Sequence, residues 1–351
     1  MAEAKTPELT KSKKNGSTEA KQKSTLFKGL DLGTSRIIMA RMSGERPSYS
    51  QQLNAFVSLP FSKMLQSTLE QEKILHLVED DEILAFGNRA DEFANLLGGT
   101  TRRPMDTGLL NPREPRNLQM IELAIRHLCG PAQSGEKICF SVPSAPEGME
   151  GELTYHEEAL REVLESLGYR AASVNEGLAV VFAELKDSDF TGIGLSFGGG
   201  LCNVCVAFLG MPVLNICTTH AGDFIDEKAA SVIGDTPTTL RLHKESDAFT
   251  LVGRPKDSKD RALAIYYRDV VKTVVDCLER ELGRTKRLPK LVRPVPVVFA
   301  GGTASVEGFQ GILEKAIREA RLPVEISEVR QAKGGFNTTA KGALLAAMLN
   351  M

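Results

Sequence analysis

The chain has 351 residues, of which 42% are hydrophobic and 25% are charged, with 31 Gly and 16 Pro. These values exclude a fibrous, collagen-like or wholly disordered protein. The 43 Lys and Arg residues nearly balance the 45 Asp and Glu residues, and the net charge of −2 argues against a nucleic-acid-binding protein. Six irregularly spaced Cys residues do not form a disulfide framework, which favours a reducing compartment.

The N-terminal residues 1–26 are rich in Lys, Glu, Ser and Thr and lack the apolar run of a signal peptide. They predict a disordered, mildly basic tail with at most weak membrane association. The tail is either a weak tether to an acidic partner or lipid surface, or a solvated terminus without a role. No stretch of about 18 uninterrupted apolar residues occurs, so no transmembrane segment is predicted.

From Phe27 onward, apolar segments of strand length and of helix length alternate. In the first half, strands are predicted at 27–33, 37–42, 74–78, 82–86, 137–142 and 171–174, and helices at 89–97, 118–129, 157–167 and 177–185. In the second half, strands are predicted at 192–196, 201–208, 294–300 and 324–328, and helices at 226–233, 256–285, 308–319 and 339–349. This alternation predicts an α/β architecture, and the chain length predicts two domains.

One pattern occurs twice, about one domain length apart. Residues 28–42 form a predicted strand, a glycine turn at 33–35 and a returning strand, and residues 192–208 repeat that form around the glycines at 198–200. Two similar lobes would place these turns opposite each other across a cleft, which is the usual site of a small ligand. Glycine turns let backbone N–H groups converge on an anion, so the facing turns suit the β- and γ-phosphates of a nucleotide.

Two further features favour a nucleotide site. Asp31 ends the first predicted strand, where its carboxylate would hold Mg²⁺ through the water shell of the ion. A third glycine turn, at 301–303, follows a buried strand and leaves room for a flat base or a ribose. Glycine turns are common, so the prediction rests on three of them in this order behind an acidic residue.

These motifs resemble those of bacterial actins in the actin–Hsp70–sugar kinase superfamily, and the resemblance covers residues 27–350. The segment 31–35 matches the first phosphate motif of that superfamily, 196–203 occupies the second, and 299–303 matches the adenosine motif. The pattern at 103–110 is most similar to MreB and to the magnetosome filament protein MamK. The resemblance implies an α/β, actin-like fold with two RNase H-like lobes around an interdomain nucleotide cleft.

The resemblance also implies the domain limits. The first actin-like lobe is expected at 27–188, with a small subdomain at about 50–110. The second lobe is expected at 189–351, with a small subdomain at about 226–288.

The same resemblance implies the roles of the site residues. Glu176 corresponds to the catalytic glutamate that orients the attacking water, and Asp31 corresponds to the residue that binds Mg²⁺ through water. Lys244 and Glu245 resemble a pair that flanks the base and ribose, with a solvated charge pair as the alternative. The full set of expected nucleotide contacts is Asp31, Gly33, Thr34, Ser35, Ser196, Gly198, Gly199, Gly200, Gly222, Asp223, Lys244, Glu245, Gly301, Gly302 and Thr303.

The second phosphate motif departs from the family pattern. The family normally has Asp-x-Gly-x-Gly-Thr-Thr-Asp/Glu, whereas residues 196–203 are Ser-Phe-Gly-Gly-Gly-Leu-Cys-Asn. The glycines that cradle a phosphate are present, but Ser196 replaces the first carboxylate, and Leu201 and Cys202 replace both threonines. We therefore expect nucleotide binding with slowed hydrolysis.

The leading hypothesis from the resemblance is a cytoplasmic actin-like cytoskeletal protein that binds ATP and Mg²⁺ and polymerises. Its partners would be further copies in head-to-tail filaments, which grow because such contacts do not close, and an actin-like paralogue or adaptor protein. A non-polymerising, nucleotide-dependent adaptor or chaperone of the same fold is the alternative. A sugar or acetate kinase is a third hypothesis, although the sequence offers no candidate base for an acceptor substrate.

Overall fold

The computed structural model describes residues 26–349 except 98, 147, 286–288 and 290–292, so the predicted tail lies outside the described residues apart from its last position. The strands are β1 Phe27–Leu32, β2 Arg36–Ser43, β3 Arg46–Leu53, β4 Phe56–Pro60, β5 His76–Glu79, β6 Glu82–Phe86, β7 Thr101–Arg102, β8 Met105–Asp106, β9 Leu109–Leu110, β10 Lys137–Val142, β11 Arg170–Asn175, β12 Gly192–Phe197, β13 Cys202–Phe208, β14 Met211–Thr218, β15 Val295–Ala300 and β16 Ile326–Gln331. The α-helices are α1 Lys63–Gln71, α2 Ala90–Leu97, α3 Asn117–Cys129, α4 Glu150–Ser166, α5 Glu176–Glu184, α6 Gly222–Ile233, α7 Pro237–Lys244, α8 Ser258–Arg284, α9 Phe309–Glu319 and α10 Thr338–Met348.

Two five-stranded sheets have the same topology. The first sheet has the strand order β3-β2-β1-β10-β11, and the second has the order β14-β13-β12-β15-β16. In each sheet the central strand pairs antiparallel with the next strand of its hairpin and parallel with a strand that follows a long connection. The β1–β2 and β12–β13 hairpins therefore occupy equivalent positions, as the repeated strand–turn–strand pattern predicts.

Each large sheet has its own apolar core. In the first lobe, defined here by the first sheet and the elements that pack on it, Leu30 and Phe140 pack with Ile121 of α3 and Leu160 of α4. A smaller sheet, β5-β6-β4-β7, packs against α1 and α2 in a separate cluster. In the second lobe, defined by the second sheet, the core lies among β12, β15 and helices α6, α8 and α9. The domain limits themselves stay a prediction; the first sheet precedes residue 188 and the second follows it.

Helices α5 and α10 lie between the two sheets and join the lobes. Their cluster includes Cys139 from the first sheet and Cys205 and Val298 from the second. The helices cross at very short range, because a Cβ on Gly342 would lie only 1.9 Å from the carbonyl oxygen of Ala179. The absence of a side chain at this crossing brings the two sheets close enough to share one cleft.

Most predicted strands and helices are confirmed to within a few residues, but polar edge elements were not predicted. Strand β3 contains Arg46-Pro-Ser-Tyr-Ser-Gln-Gln-Leu53 without apolar alternation, and its structure depends on antiparallel pairing with β2. Helix α7 was also missed, although it carries a local signal: the Thr236 hydroxyl accepts from the Thr239 N–H and Pro237 opens the helix. Helix α4 begins at Glu150 rather than 157, with two acidic residues in its first turn. None of the helices in the described residues is both long and apolar enough to span a membrane.

We predict that Gly342→Ala lowers the free energy of unfolding by about 1–3 kcal/mol, because the added methyl group forces α10 away from α5. The matched control is Gly311→Ala in α9, where no atom lies within 4 Å of the added Cβ. That variant should be neutral or more stable by up to about 1 kcal/mol, since Ala favours a helix over Gly. Urea unfolding of both variants checks the prediction, and equal stabilities would contradict it.

Candidate functional site

A cavity of about 320 Å³ lies between the β1–β2 and β12–β13 turns. The start of α6, the end of α7 and the turn after β15 surround its other end. Every residue that the sequence predicted for the nucleotide site lines this cavity, from Asp31 in β1 to Thr303 after β15. The structure thus brings together three glycine turns that lie far apart in the chain.

Two carboxyl groups form the floor of the cavity. Asp31 accepts a hydrogen bond from the Ser141 hydroxyl of β10 at 2.8 Å. Glu176 is the first residue of α5, and its Oε2 accepts from the Ser196 hydroxyl at 3.1 Å and from Asn203 Nδ2 at 3.0 Å. These donors lie on β12 and β13, so Glu176 connects the central helix to the second lobe.

The position of Glu176 is fixed by the start of its helix. Asn175 caps α5, with its side-chain oxygen accepting from the Gly177 N–H at 2.9 Å. A Cβ on Gly177 would lie 2.6 Å from the backbone nitrogen of Cys205, so the first turn of α5 rests directly on β13. The glycine that follows Glu176 is therefore required by close packing, and the packing holds the carboxyl group at the cleft.

Among the described residues, no Lys, Arg or His pairs with either of the floor carboxylates. Burial raises the pKa of Asp31 above the usual carboxyl range, and the Ser141 hydrogen bond only partly offsets it. Burial also raises the pKa of Glu176, and the negative charge of Asp31 raises it further. In the described part of the chain, only neutral hydroxyl and amide groups compensate these charges. A divalent cation with its water shell fits this donor set, because Mg²⁺ prefers oxygen ligands and retains several waters.

The two phosphate turns are built alike. The Gly33 N–H donates to the Arg36 carbonyl at 3.0 Å, and the Gly198 N–H donates to the Leu201 carbonyl at 2.9 Å. Each turn is thus closed by a hydrogen bond between its first residue and the residue three positions later. No hydrogen bond from the amides at 34, 35, 199 or 200 to an acceptor in the described residues is present. These N–H groups are suited to bind an anion.

The turns face each other at close range, as the sequence repeat predicts. A Cβ on Gly199 would lie 2.5 Å from the Ser35 hydroxyl, and one on Gly200 would lie 2.6 Å from the Thr34 hydroxyl. At Gly200 a side chain would also meet the backbone nitrogen of Gly108 at 2.8 Å, so this position requires glycine. The hydroxyls of the first lobe and the amides of the second therefore point to one region, where a phosphate group would meet donors from both lobes.

The other end of the cavity contains a buried ion pair. Lys244 Nζ lies 2.7 Å from Asp226 Oδ2 and also donates to the Gly222 carbonyl at 2.9 Å. The alternative prediction of a solvated Lys244 is therefore wrong. Two buried polar atoms beside this pair, Asp226 Oδ1 and the Tyr267 hydroxyl, have no hydrogen-bond partner in the described residues. An unpaired acceptor and an unpaired hydroxyl at one end of the cavity fit a ligand with polar edges, such as a base or a ribose.

Asp226 and Tyr267 were not among the predicted site residues. Asp226 lies only three residues after the expected contact Asp223, and this proximity was a usable signal. Tyr267 lies in the middle of the long helix α8, where nothing local marks it, and its position follows only from packing against Phe249 and Phe309.

The altered residues of the second phosphate motif are buried. Leu201 contacts Gly108 of the first lobe, and Cys202 lies in the core of the second lobe. Asn203 accepts from the Ser144 N–H at 2.8 Å while its amide donates to Glu176. Asn203 therefore links the strand that follows the second turn to the first lobe, in addition to holding the floor carboxylate.

The family model described as Volactin matches residues 26–347. No curated protein matches the chain. Among solved structures, the MamK double helical filament is similar with a TM-score of 0.68 at 18% identity, over 92% of this chain and 98% of that chain. MreB 5 of Spiroplasma citri bound to AMPPNP is similar with a TM-score of 0.65 at 14% identity, over 92% and 96% of the two chains.

The ethanolamine utilization protein EutJ from Carboxydothermus hydrogenoformans is also similar, with a TM-score of 0.50 at 15% identity, over 91% of this chain and 89% of that chain. At these identities the similarities show a shared fold. The predicted resemblance is confirmed: the chain has the fold of the bacterial actin-like proteins in the actin–Hsp70–sugar kinase superfamily.

We predict that the contribution of Glu176 to the free energy of unfolding falls as the pH rises from about 5 to 8 in the absence of nucleotide and divalent ions. A carboxyl group whose pKa is higher in the folded state than in the unfolded state stabilises the fold when protonated, and this contribution is lost as it ionises. Relative to wild type, the free energy of unfolding of Glu176→Gln should therefore rise by about 1–2 kcal/mol between pH 5 and pH 8.

Urea unfolding at both pH values, in the presence of EDTA, measures this difference. The matched control is Glu165→Gln at an exposed position of α4. Equal changes in the free energy of unfolding of the wild type and of Glu176→Gln over the same pH range would contradict the raised pKa.

Proposed function

The chain belongs to the Volactin family, and we propose that it is a cytoplasmic, actin-like cytoskeletal protein that binds ATP with Mg²⁺ and assembles into filaments. The observation that carries the proposal is the pair of glycine turns that face each other beside two carboxylates with no cation partner in the described part of the chain. The similar folds of a MamK filament and of an AMPPNP-bound MreB support it.

Each part of the cavity matches one part of the ligand. The turns at 33–35 and 198–200 would bind the β- and γ-phosphates through backbone amides and hydroxyls. Asp31 would hold Mg²⁺ through water, and the ion would neutralise phosphate charge. Gly301 and Gly302 would lie against the adenosine, with Lys244 and Glu245 beside the base and ribose.

Hydrolysis would depend on Glu176. Its carboxylate is oriented by Ser196 and Asn203, and it would orient the attacking water near the terminal phosphate. The loss of one preorganised polar group from such a site typically costs about 10²–10³ in rate. Because Ser196, Leu201 and Cys202 replace three polar groups of the family motif, we propose that the protein binds ATP tightly but turns it over slowly.

Polymerisation would use contacts between successive copies of the chain. Bound nucleotide would favour these contacts by holding the two lobes of each copy together. Head-to-tail contacts do not close on themselves, so they produce a filament. The non-polymerising adaptor remains the alternative, because the ethanolamine utilization protein EutJ has a similar fold and a fold does not determine a function. Sedimentation with and without ATP separates the two.

We predict that Asp31→Asn weakens Mg²⁺-ATP binding by at least about tenfold and abolishes ATP-dependent pelleting, because the neutral amide cannot replace a carboxylate beside the metal. Titration of a fluorescent ATP analogue and ultracentrifugation measure the two effects. Asp81→Asn, at an exposed turn between β5 and β6, is the control. Wild-type binding and pelleting by Asp31→Asn would argue against the whole site assignment.

A further prediction concerns the rate of phosphate release. Ser196→Asp/Leu201→Thr/Cys202→Thr restores three of the four altered positions of the family motif, all except Asn203, and should hydrolyse ATP at least about tenfold faster than wild type when Mg²⁺ is present. The single variant Ser196→Asp should give part of this gain and avoids changes in the core. Ser196→Asn is its neutral control.

Glu176→Ala should lose hydrolysis while it keeps nucleotide binding. Phosphate release is measured at saturating nucleotide, so that changes in affinity do not enter. Brisk hydrolysis by the wild type, unchanged by the restored motif, would show that the second turn does not limit the rate.

A further inference from the structure

A short segment of the first lobe lies at the edge of the cavity, where Gly108 is part of the lining. We call residues 103–110, which contain β8 and β9, the strap. The strap is tied to the first phosphate turn, because the Gly108 N–H donates to the Thr34 hydroxyl at 3.1 Å. Asn111 Nδ2 donates to the Arg103 carbonyl at 3.3 Å and fixes the other end. The strap therefore moves with the first lobe.

The charged end of the strap binds the second lobe. Arg103 Nη1 donates to both carboxylate oxygens of Asp223, at 3.1 and 3.0 Å. Asp223 is the second residue of α6, and its backbone N–H donates to the Gly199 carbonyl at 2.8 Å. The ion pair thus joins the strap to the second phosphate turn. The two side chains are 26% and 31% exposed, which places the pair at the rim of the cavity.

The glycine end of the strap makes an apolar contact with the same turn. Leu201 is only 3% exposed and lies against Gly108, where an added Cβ would be 2.4 Å from Leu201 Cδ1. Gly108 also has a φ of +77°, so a larger residue is disfavoured by both space and backbone conformation. A Cβ on Gly200 would lie 2.8 Å from the Gly108 nitrogen. The second turn is therefore held between the strap and the first turn.

We propose that the Arg103–Asp223 ion pair and the Leu201–Gly108 contact form an interlobe latch that closes the phosphate end of the cavity and limits the rate at which nucleotide leaves. The lobes are joined by α5 and α10, which contribute Glu176 and Thr339 to the cavity lining. A contact between the lobes outside these two helices opposes their separation. The effect on nucleotide rests on the proposed function, whereas closure is a property of the two lobes.

The proposed latch assigns a function to Leu201, one of the altered residues of the second motif. A threonine at 201 would present a hydroxyl at this position, whereas Leu201 provides apolar surface that fits against the bare backbone of Gly108. Burial of that surface is lost whenever the lobes separate, so it favours the closed cleft. The ion pair adds a contribution that salt screens, because both side chains are partly exposed.

The test combines two measurements on full-length protein. Hydrogen–deuterium exchange of peptides covering the strap and residues 198–203 reports closure without nucleotide, and the dissociation rate of a fluorescent ATP analogue reports its consequence. Arg103→Glu places two carboxylates together. It should raise both the exchange rate and the dissociation rate of the analogue by roughly threefold to tenfold. The swap Arg103→Asp/Asp223→Arg should restore protection in the exchange measurement. Arg113→Glu, an exposed arginine just beyond the strap, is the matched control.

Leu201→Ala should also speed exchange in both peptides and should make the remaining protection more sensitive to salt. Unchanged exchange in both Arg103→Glu and Leu201→Ala would overturn the latch. Faster exchange in Arg103→Glu that the charge swap does not reverse would overturn the role of the ion pair. If neither the wild type nor any variant binds the ATP analogue, the proposed nucleotide function is wrong. The exchange measurement then still decides whether the latch exists.

Discussion

Two carboxylates at the floor of one cleft repel each other, and burial makes that repulsion costly. The hydrogen bonds around Asp31 and Glu176 are consistent with this constraint. Each carboxylate receives neutral hydrogen bonds from a neighbouring strand, from Ser141 in one case and from Ser196 and Asn203 in the other. These donors hold the groups in place without cancelling their charge. No cation among the described residues compensates these charges, which supports the proposed Mg²⁺ site.

The other end of the same helix shows the contrast. Glu184 closes α5, and its side chain is only 2% exposed, but it lies 3.0 Å from Arg330 and 3.4 Å from Lys341. Burial raises the pKa of Glu184, yet the hydrogen bonds and charges of these cations outweigh it and the pKa is lowered. Helix α5 thus carries Glu184, which is paired with two cations, at its C-terminal end. At the cleft it carries Glu176, which has no cation partner among the described residues. Removal of a partner from the first would destabilise the fold, whereas the second is available to a ligand.

The sequence predicted the parts of the site that depend on local patterns. Strands β1, β12 and β15 are apolar runs that end in glycine turns, and a turn of that kind keeps its shape wherever the strand packs. The partners of those turns depend on tertiary structure. The Tyr267 hydroxyl reaches the cavity only because α8 packs on the second sheet, and Arg103 meets Asp223 across 120 positions of sequence. Polar edge strands such as β3 lack a pattern of their own and form by pairing with a neighbour.

Three of the four altered positions in the second motif make different contacts. Ser196 keeps a donor on Glu176, Cys202 fills the core of the second lobe, and Leu201 packs against the strap of the first. A slow chemical step and a closed cleft have the same consequence, since each prolongs the time that a nucleotide stays bound before product leaves. An assembly that depends on bound nucleotide would then persist without a continuous supply of new subunits. The proposed slow hydrolysis and the proposed latch thus depend on the same turn, the first through the groups that it lacks and the second through the surface that it presents.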